Sequence, residues 1–111
     1  MKLKYLDTAE SGLRWMRRYY REQPQLDAGK AVAALQRAEA ILQEFPFSGT
    51  AYEGRESVRE YRLQGSVFSL LYTVASDTIW IIDLHDQRGY RSAEALRHFQ
   101  QDLRKRMRGA K

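Results

Sequence analysis

The chain has 111 residues and a mass of 13.0 kDa, with 19 basic against 14 acidic side chains, a formal charge of +5 and no cysteine. That length supports one hydrophobic core and hence a single domain over 1–111, and the missing thiols exclude a disulfide framework, a thiolate metal site and a cysteine nucleophile. No apolar stretch is long enough for a bilayer and MKLKYLDTAE has no secretory-signal pattern, so a cytoplasmic protein without a membrane partner is expected; the pI near 9.7 suits an anionic partner or plain solubility equally.

Lys2 to Leu6 alternates polar and apolar, with Leu3 and Tyr5 on one side, and predicts a short first strand. Asp7 followed by Glu10 has the spacing of a capping box and predicts a helix start. Ala9, Leu13, Met16 and Tyr20 then recur at helical spacing, Arg14, Arg17, Arg18 and Arg21 fall mostly on other faces, and Pro24 stops the helix. A second helix carries Ala28, Ala31, Leu35, Ala38, Leu42 and Phe45 at steps of three and four, ending at Pro46. Its mainly small stripe allows a neighbouring helix close, so the two helices read as an antiparallel hairpin.

From Ser57 the period shortens to two in ESVREYRL, VFSLLYTVA and TIWIIDLH, which predicts three strands. Gly65-Ser66 and Ser76-Asp77 separate them as two-residue turns, so the strands form an antiparallel meander. Ser92 as N-cap, with Leu96, Phe99, Leu103 and Met107 on one face, predicts an amphipathic C-terminal helix over 92–108. The fold class is therefore α+β: an N-terminal strand, a helix hairpin, a three-stranded meander and a C-terminal helix.

Two-residue turns set Arg62 opposite Ser69, Leu63 opposite Phe68, Tyr72 opposite Ile81 and Thr73 opposite Trp80. One face then holds Tyr61, Leu63, Phe68, Leu70, Tyr72, Val74, Ile79 and Ile81, the side that the helices cover. The other holds Val58, Glu60, Arg62, Gln64, Ser69, Leu71, Thr73, Trp80, Ile82 and Leu84. A face half polar and half apolar needs a cover, either the C-terminal helix or a partner protein. Asp83 and His85 fall on the helix-covered side, where a histidine reads as structural. His85 and His98 are too isolated for a metal site, so no metal and no cofactor are expected, and GRESVRE lacks the lysine and spacing of a phosphate loop. Arginine-rich helix 1 and the tail RKRMRGAK are basic surfaces or solvated helix faces.

The start KLKYLDTAESGLRWMRRYY, then FPFSG, then VREYRLQGSVFSLLYTVASDTIWIIDLHDQR resembles the ParE/RelE family of toxins from bacterial type II toxin–antitoxin pairs, also described as plasmid stabilisation proteins. The likeness lies in the order: an arginine strand, an aromatic-x-aliphatic-x-Tyr-x-Val strand, and an aliphatic strand ending in His-x-x-Arg. It covers residues 2 to 88. The family implies a cognate antitoxin as partner, and a target that is either DNA gyrase, poisoned by binding in the ParE-like branch, or ribosome-bound messenger RNA, cut in the RelE-like branch.

Cleavage of RNA needs an activated 2′-OH, a neutralised phosphate and a protonated leaving oxygen. The basic positions implied by the RelE-like branch fall on Glu60, Arg62, Ser69 and Arg88, and two of them are not basic. Glu60 puts negative charge where a phosphate would sit, and Ser69 cannot neutralise one. The expectation is therefore a ParE-like protein that binds rather than catalyses, with no assigned catalytic residue. Its target-binding residues are Arg59 and Arg88. Leu71, Trp80, Ile82, Leu84 and Arg62 are the antitoxin-binding set, on which an antitoxin segment lays apolar anchors and carboxylates. The rival is a repositioned nuclease site of Arg62, His85, Arg88 and Tyr90; a third reading is a degenerate, non-toxic member that only binds antitoxin. Assembly as a homodimer or as a hetero-oligomer with the antitoxin stays open.

Overall fold

The computed structural model describes residues 1–87. The predicted helix 92–108, Arg88, Tyr90 and His98 lie outside the described residues. The elements are β1 (Lys2–Tyr5), α1 (Asp7–Glu22), α2 (Ala28–Glu44), β2 (Thr50–Tyr52), β3 (Arg55–Arg62), β4 (Phe68–Ala75) and β5 (Thr78–Asp86). They form one five-stranded sheet in the order β1-β5-β4-β3-β2. The α+β class agrees with the sequence reading, but the strand layout does not. Thr-Ala-Tyr makes an additional edge strand, antiparallel to β3, and the first strand joins the far edge parallel to β5, Leu3 beside Ile79 and Tyr5 beside Ile81. A three-residue strand is too short to display a period, so nothing in GTAYEGR announces it.

Helix starts follow two different devices. Leu6 is the residue before α1 and makes no side-chain cap; Asp7 is already helical, so the predicted capping box is replaced by two first-turn acids, Asp7 and Glu10, facing the positive end of the helix dipole. Asp27 is a true cap for α2, its Oδ1 accepting from Gly29 N at 2.9 Å and Lys30 N at 3.2 Å. Pro24 and Pro46 fall just beyond the two helix ends. Phe45, placed by its spacing on the apolar stripe of α2, instead caps the helix and is 59% exposed.

Both helices lie on one sheet face. Their Ala9, Met16, Ala31, Ala34, Ala38 and Leu42 pack with Leu63, Phe68, Leu70, Tyr72, Ile79, Ile81 and Leu84. Tyr19 and Tyr20 meet Phe68 at centroid distances of 5.4 and 6.2 Å. Tyr5 donates to Glu39 Oε2 at 2.8 Å and ties β1 to α2. Tyr72 reaches across to the α2–β2 connection, its hydroxyl accepting from Gly49 N at 2.9 Å. Removing that acceptor leaves a buried N–H unpaired, so Tyr72→Phe is expected to cost about 1–3 kcal/mol in urea unfolding; an unchanged midpoint would refute the tie.

Burial raises the phenols of Tyr5, Tyr20 and Tyr72 above their ordinary value of 10.0, and for Tyr5 the bond to Glu39 adds to it. The folded chain therefore keeps these protons where the unfolded chain has begun to lose them. Their contribution is complete below the unfolded value and falls as pH rises beyond it. The urea midpoint should be lower at about pH 11 than at about pH 9, and Tyr5→Phe should flatten that slope.

Strand register decides what each face displays. Arg62 opposes Ser69, Tyr72 opposes Ile81 and Thr73 opposes Trp80, as the turns predict. The β4–β5 turn is the two-residue Ser76-Asp77, both at positive φ (52° and 59°). The β3–β4 turn keeps the same register but closes one pair earlier, with Leu63 N donating to Phe68 O at 3.0 Å. Beyond Ile81 the register shifts: Leu71 opposes Asp83 instead of Ile82, and every later pair moves by one residue. This β-bulge reverses the facing of the strand end. Leu84, expected on the second face, opposes Leu70 in the helix-side core, and His85, expected on the helix side, opposes Ser69 on the second face.

Candidate functional site

The second face has an apolar half and a polar half. Tyr52, Val58, Leu71 and Ile82 are buried together, with Leu6 packed against them. Tyr52 comes from the unforeseen strand β2. Beside this cluster, His85 Nε2 lies 3.6 Å from Glu60 Oε2, an ion pair when the imidazole is protonated, and the His85 ring meets Tyr52 edge-on at 5.3 Å. The two side chains are 12% and 22% exposed, so water reaches both. Ser69 is fully buried and its hydroxyl accepts from Gln87 Nε2 at 3.0 Å. Its geometry is that of a satisfied structural hydroxyl.

The residues expected to bind the antitoxin do not share one accessible surface. Leu71 and Ile82 are 0% exposed, and Leu84 is in the opposite core. Trp80 remains half-exposed, with Lys4 Nζ 5.7 Å from its ring centroid. Arg62 ends β3 as an exposed side chain at the sheet rim. Arg59, expected to face the target, is turned to the chain itself. Its Nη1 donates to Gly49 O at 2.8 Å and Phe47 O at 3.4 Å, and the guanidinium lies 5.1 Å from the Phe47 ring. That arginine holds the α2–β2 connection against the sheet.

The helix-facing acids at the end of β5 are also committed. Asp86 is buried and its Oδ2 accepts from Trp15 Nε1 at 3.3 Å. Asp83 is buried against Gly12 of α1, the position at which a Cβ would collide with Asp83 Oδ1.

A solved structure, described as the chromosomal ParDE TA system from P. aeruginosa, contains a chain that superimposes with a TM-score of 0.60 at 24% identity, covering 78% of this chain and 95% of its own. The two chains share a fold. No protein-family model matches the chain, and no curated protein does. Among the described residues no helix is long and apolar enough to cross a membrane, and no group of three His, Asp or Glu is placed to hold a metal ion.

The Glu60–His85 pair is the arrangement that sequence reasoning missed. A signal for it exists in IIDLH: two adjacent isoleucines followed by an acid and a leucine break strict alternation, which is the pattern a bulge leaves. Chemically, the polar half offers a carboxylate, an imidazole and, at the rim, a guanidinium. Among the described residues it lacks the cluster of cations that would hold a phosphodiester in place.

Proposed function

We propose that the chain is the toxin of a type II toxin–antitoxin pair and acts by binding DNA gyrase. The fold shared with a chain of a ParDE system supports the pairing. One observation supports binding over catalysis: at the two non-basic positions of the RelE-like pattern stand a carboxylate drawn to His85 and a serine wholly buried and bonded to Gln87. A phosphate approaching Glu60 meets like charge, and Ser69 offers it nothing. Plating cells that express the chain with and without the neighbouring reading frame tests the pairing. Growth arrest relieved by co-expression is the expected outcome; normal growth of cells carrying the chain alone would match the degenerate, non-toxic reading instead.

A second reading, a ribosome-dependent messenger RNA endoribonuclease, is favoured by the bulge, because it brings His85 to Glu60 on the face rimmed by Arg62. In that reading Glu60 takes the 2′-OH proton, His85 protonates the leaving 5′-oxygen, and Arg62 meets the phosphate. Primer extension on ribosome-bound message separates the two. New 5′ ends that vanish in His85→Asn would establish the nuclease; an uncut message agrees with the binding toxin.

A further inference from the structure

Helix α1 divides its side chains between two sides. Ala9, Gly12 and Met16 are buried, and Leu13, Trp15, Tyr19 and Tyr20 pack against the helix-side core. Gly12 seats the helix on Asp83, and Trp15 Nε1 donates to Asp86 Oδ2, so α1 is fixed to the sheet. Arg14, Arg17, Arg18 and Arg21 are all exposed. Their steps of three, one and three residues put all four on the side away from the sheet. Asp7, Glu10 and Glu22, also exposed, flank them toward the helix ends. Arg18 pairs with Glu22 at 3.0 Å, both side chains largely in water. Among the described residues Arg14, Arg17 and Arg21 are in no ion pair.

Such a stripe costs the fold stability. Arg14 stands three and four residues from Arg17 and Arg18, and so does Arg21, spacings at which like charges repel across a helix surface. Arg21 alone lies in the last turn, where the helix dipole favours a cation. A polyanion laid along the stripe turns that repulsion into attraction. From Arg14 to Arg21 the helix advances about 10 Å. Over that distance a nucleic-acid duplex carries about three phosphates on each strand. Guanidinium is the cation best matched to phosphate geometry. The apolar side of α1 is spent on the sheet, which leaves no anchor for a peptide and no surface to sink into lipid. Tyr19 and Tyr20 pack inward on Phe68 and offer no platform on which the bases of a single strand could stack.

We propose that the outer side of α1 is a binding surface for the phosphate backbone of a nucleic-acid duplex, without regard to sequence. Arg14, Arg17 and Arg21 meet successive phosphates, and Arg18, held by Glu22, adds to the field. The contact needs neither gyrase nor an antitoxin. It can therefore fail while the toxin reading stands, and the reverse.

The test is a fluorescence-anisotropy titration of the full chain into labelled DNA and RNA duplexes of unrelated sequences. Three phosphate contacts predict an affinity that falls about fortyfold between about 50 and about 200 mM salt. Two triple variants remove equal charge: Arg14→Gln/Arg17→Gln/Arg21→Gln on the stripe, and Lys2→Gln/Lys30→Gln/Arg37→Gln elsewhere. The stripe variant is expected to bind at least about tenfold more weakly, its salt effect reduced to about twofold, while the other stays within about threefold of the wild type. Its urea midpoint should be no lower than the wild type's, since the repelling pairs are gone. Arg14→Lys/Arg17→Lys/Arg21→Lys, which keeps the charge, should keep most of the binding and the salt slope. Tighter binding in one arm, DNA or RNA, identifies the source of the backbone. Equal losses in the two glutamine variants would reduce the effect to net charge and overturn the assignment. So would a wild-type chain that binds no duplex, or one that prefers polyglutamate or anionic vesicles to duplex.

Discussion

Leu84→Ala is expected to lower the unfolding free energy by about 2–5 kcal/mol, the range for truncating a buried leucine. Leu84 is 1% exposed and packs with Leu70 and the helix-side core, so the truncation leaves a cavity that the two helices cannot collapse into. His85→Ala, one residue on, should cost only about 1 kcal/mol, because its side chain faces the partly wet second face. The contrast is diagnostic. Without the bulge at Ile82 the two residues exchange faces and the order of the two effects reverses. Urea unfolding of both variants reads it directly, and a larger loss for His85→Ala would contradict the register.

Gly12→Ala is expected to destabilise the fold as well, although alanine is the better helix former. On a free helix face the exchange would gain about 1 kcal/mol. Here the new Cβ would meet the carboxylate of Asp83 and, at 2.9 Å, the backbone nitrogen of Leu84. Backbone cannot step aside, so overpacking of about 3 kcal/mol outweighs the propensity gain. A net loss of roughly 2 kcal/mol is the prediction. A stabilised variant would mean that α1 does not approach β5 as closely as Gly12 allows. The same contact links sequence to site: Gly12 admits Asp83, and the bulge that turns Leu84 to the helices sends His85 to Glu60.

The sequence disclosed those parts of the fold whose signals are local and periodic. Both helices, the three long strands and the Ser76-Asp77 turn are each specified by several residues in agreement, and their register follows from turn length. What escaped was non-local or aperiodic. The strand Thr50–Tyr52 has three residues, and the parallel pairing of β1 with β5 joins segments more than seventy positions apart. The bulge costs one residue of register and thereby exchanges Leu84 and His85, which is why Leu84 lies on the face opposite the rest of the antitoxin set, while Leu71 and Ile82 keep the expected face and are buried there with Tyr52 and Val58, Leu6 packed against them. Arg59 looked like a target-facing cation because charge is legible in sequence; its bonds to Gly49 O and Phe47 O are not.

In the function proposed above, this chain poisons gyrase by contact and cuts nothing. Its most direct test is the conversion of relaxed plasmid to supercoiled form by gyrase, followed over a titration of purified chain, with ribosome-bound message assayed alongside. Supercoiling is expected to be blocked in proportion to the chain added and restored by the neighbouring frame's product, while the message stays whole. Full supercoiling at every concentration, together with a cut message, would contradict it.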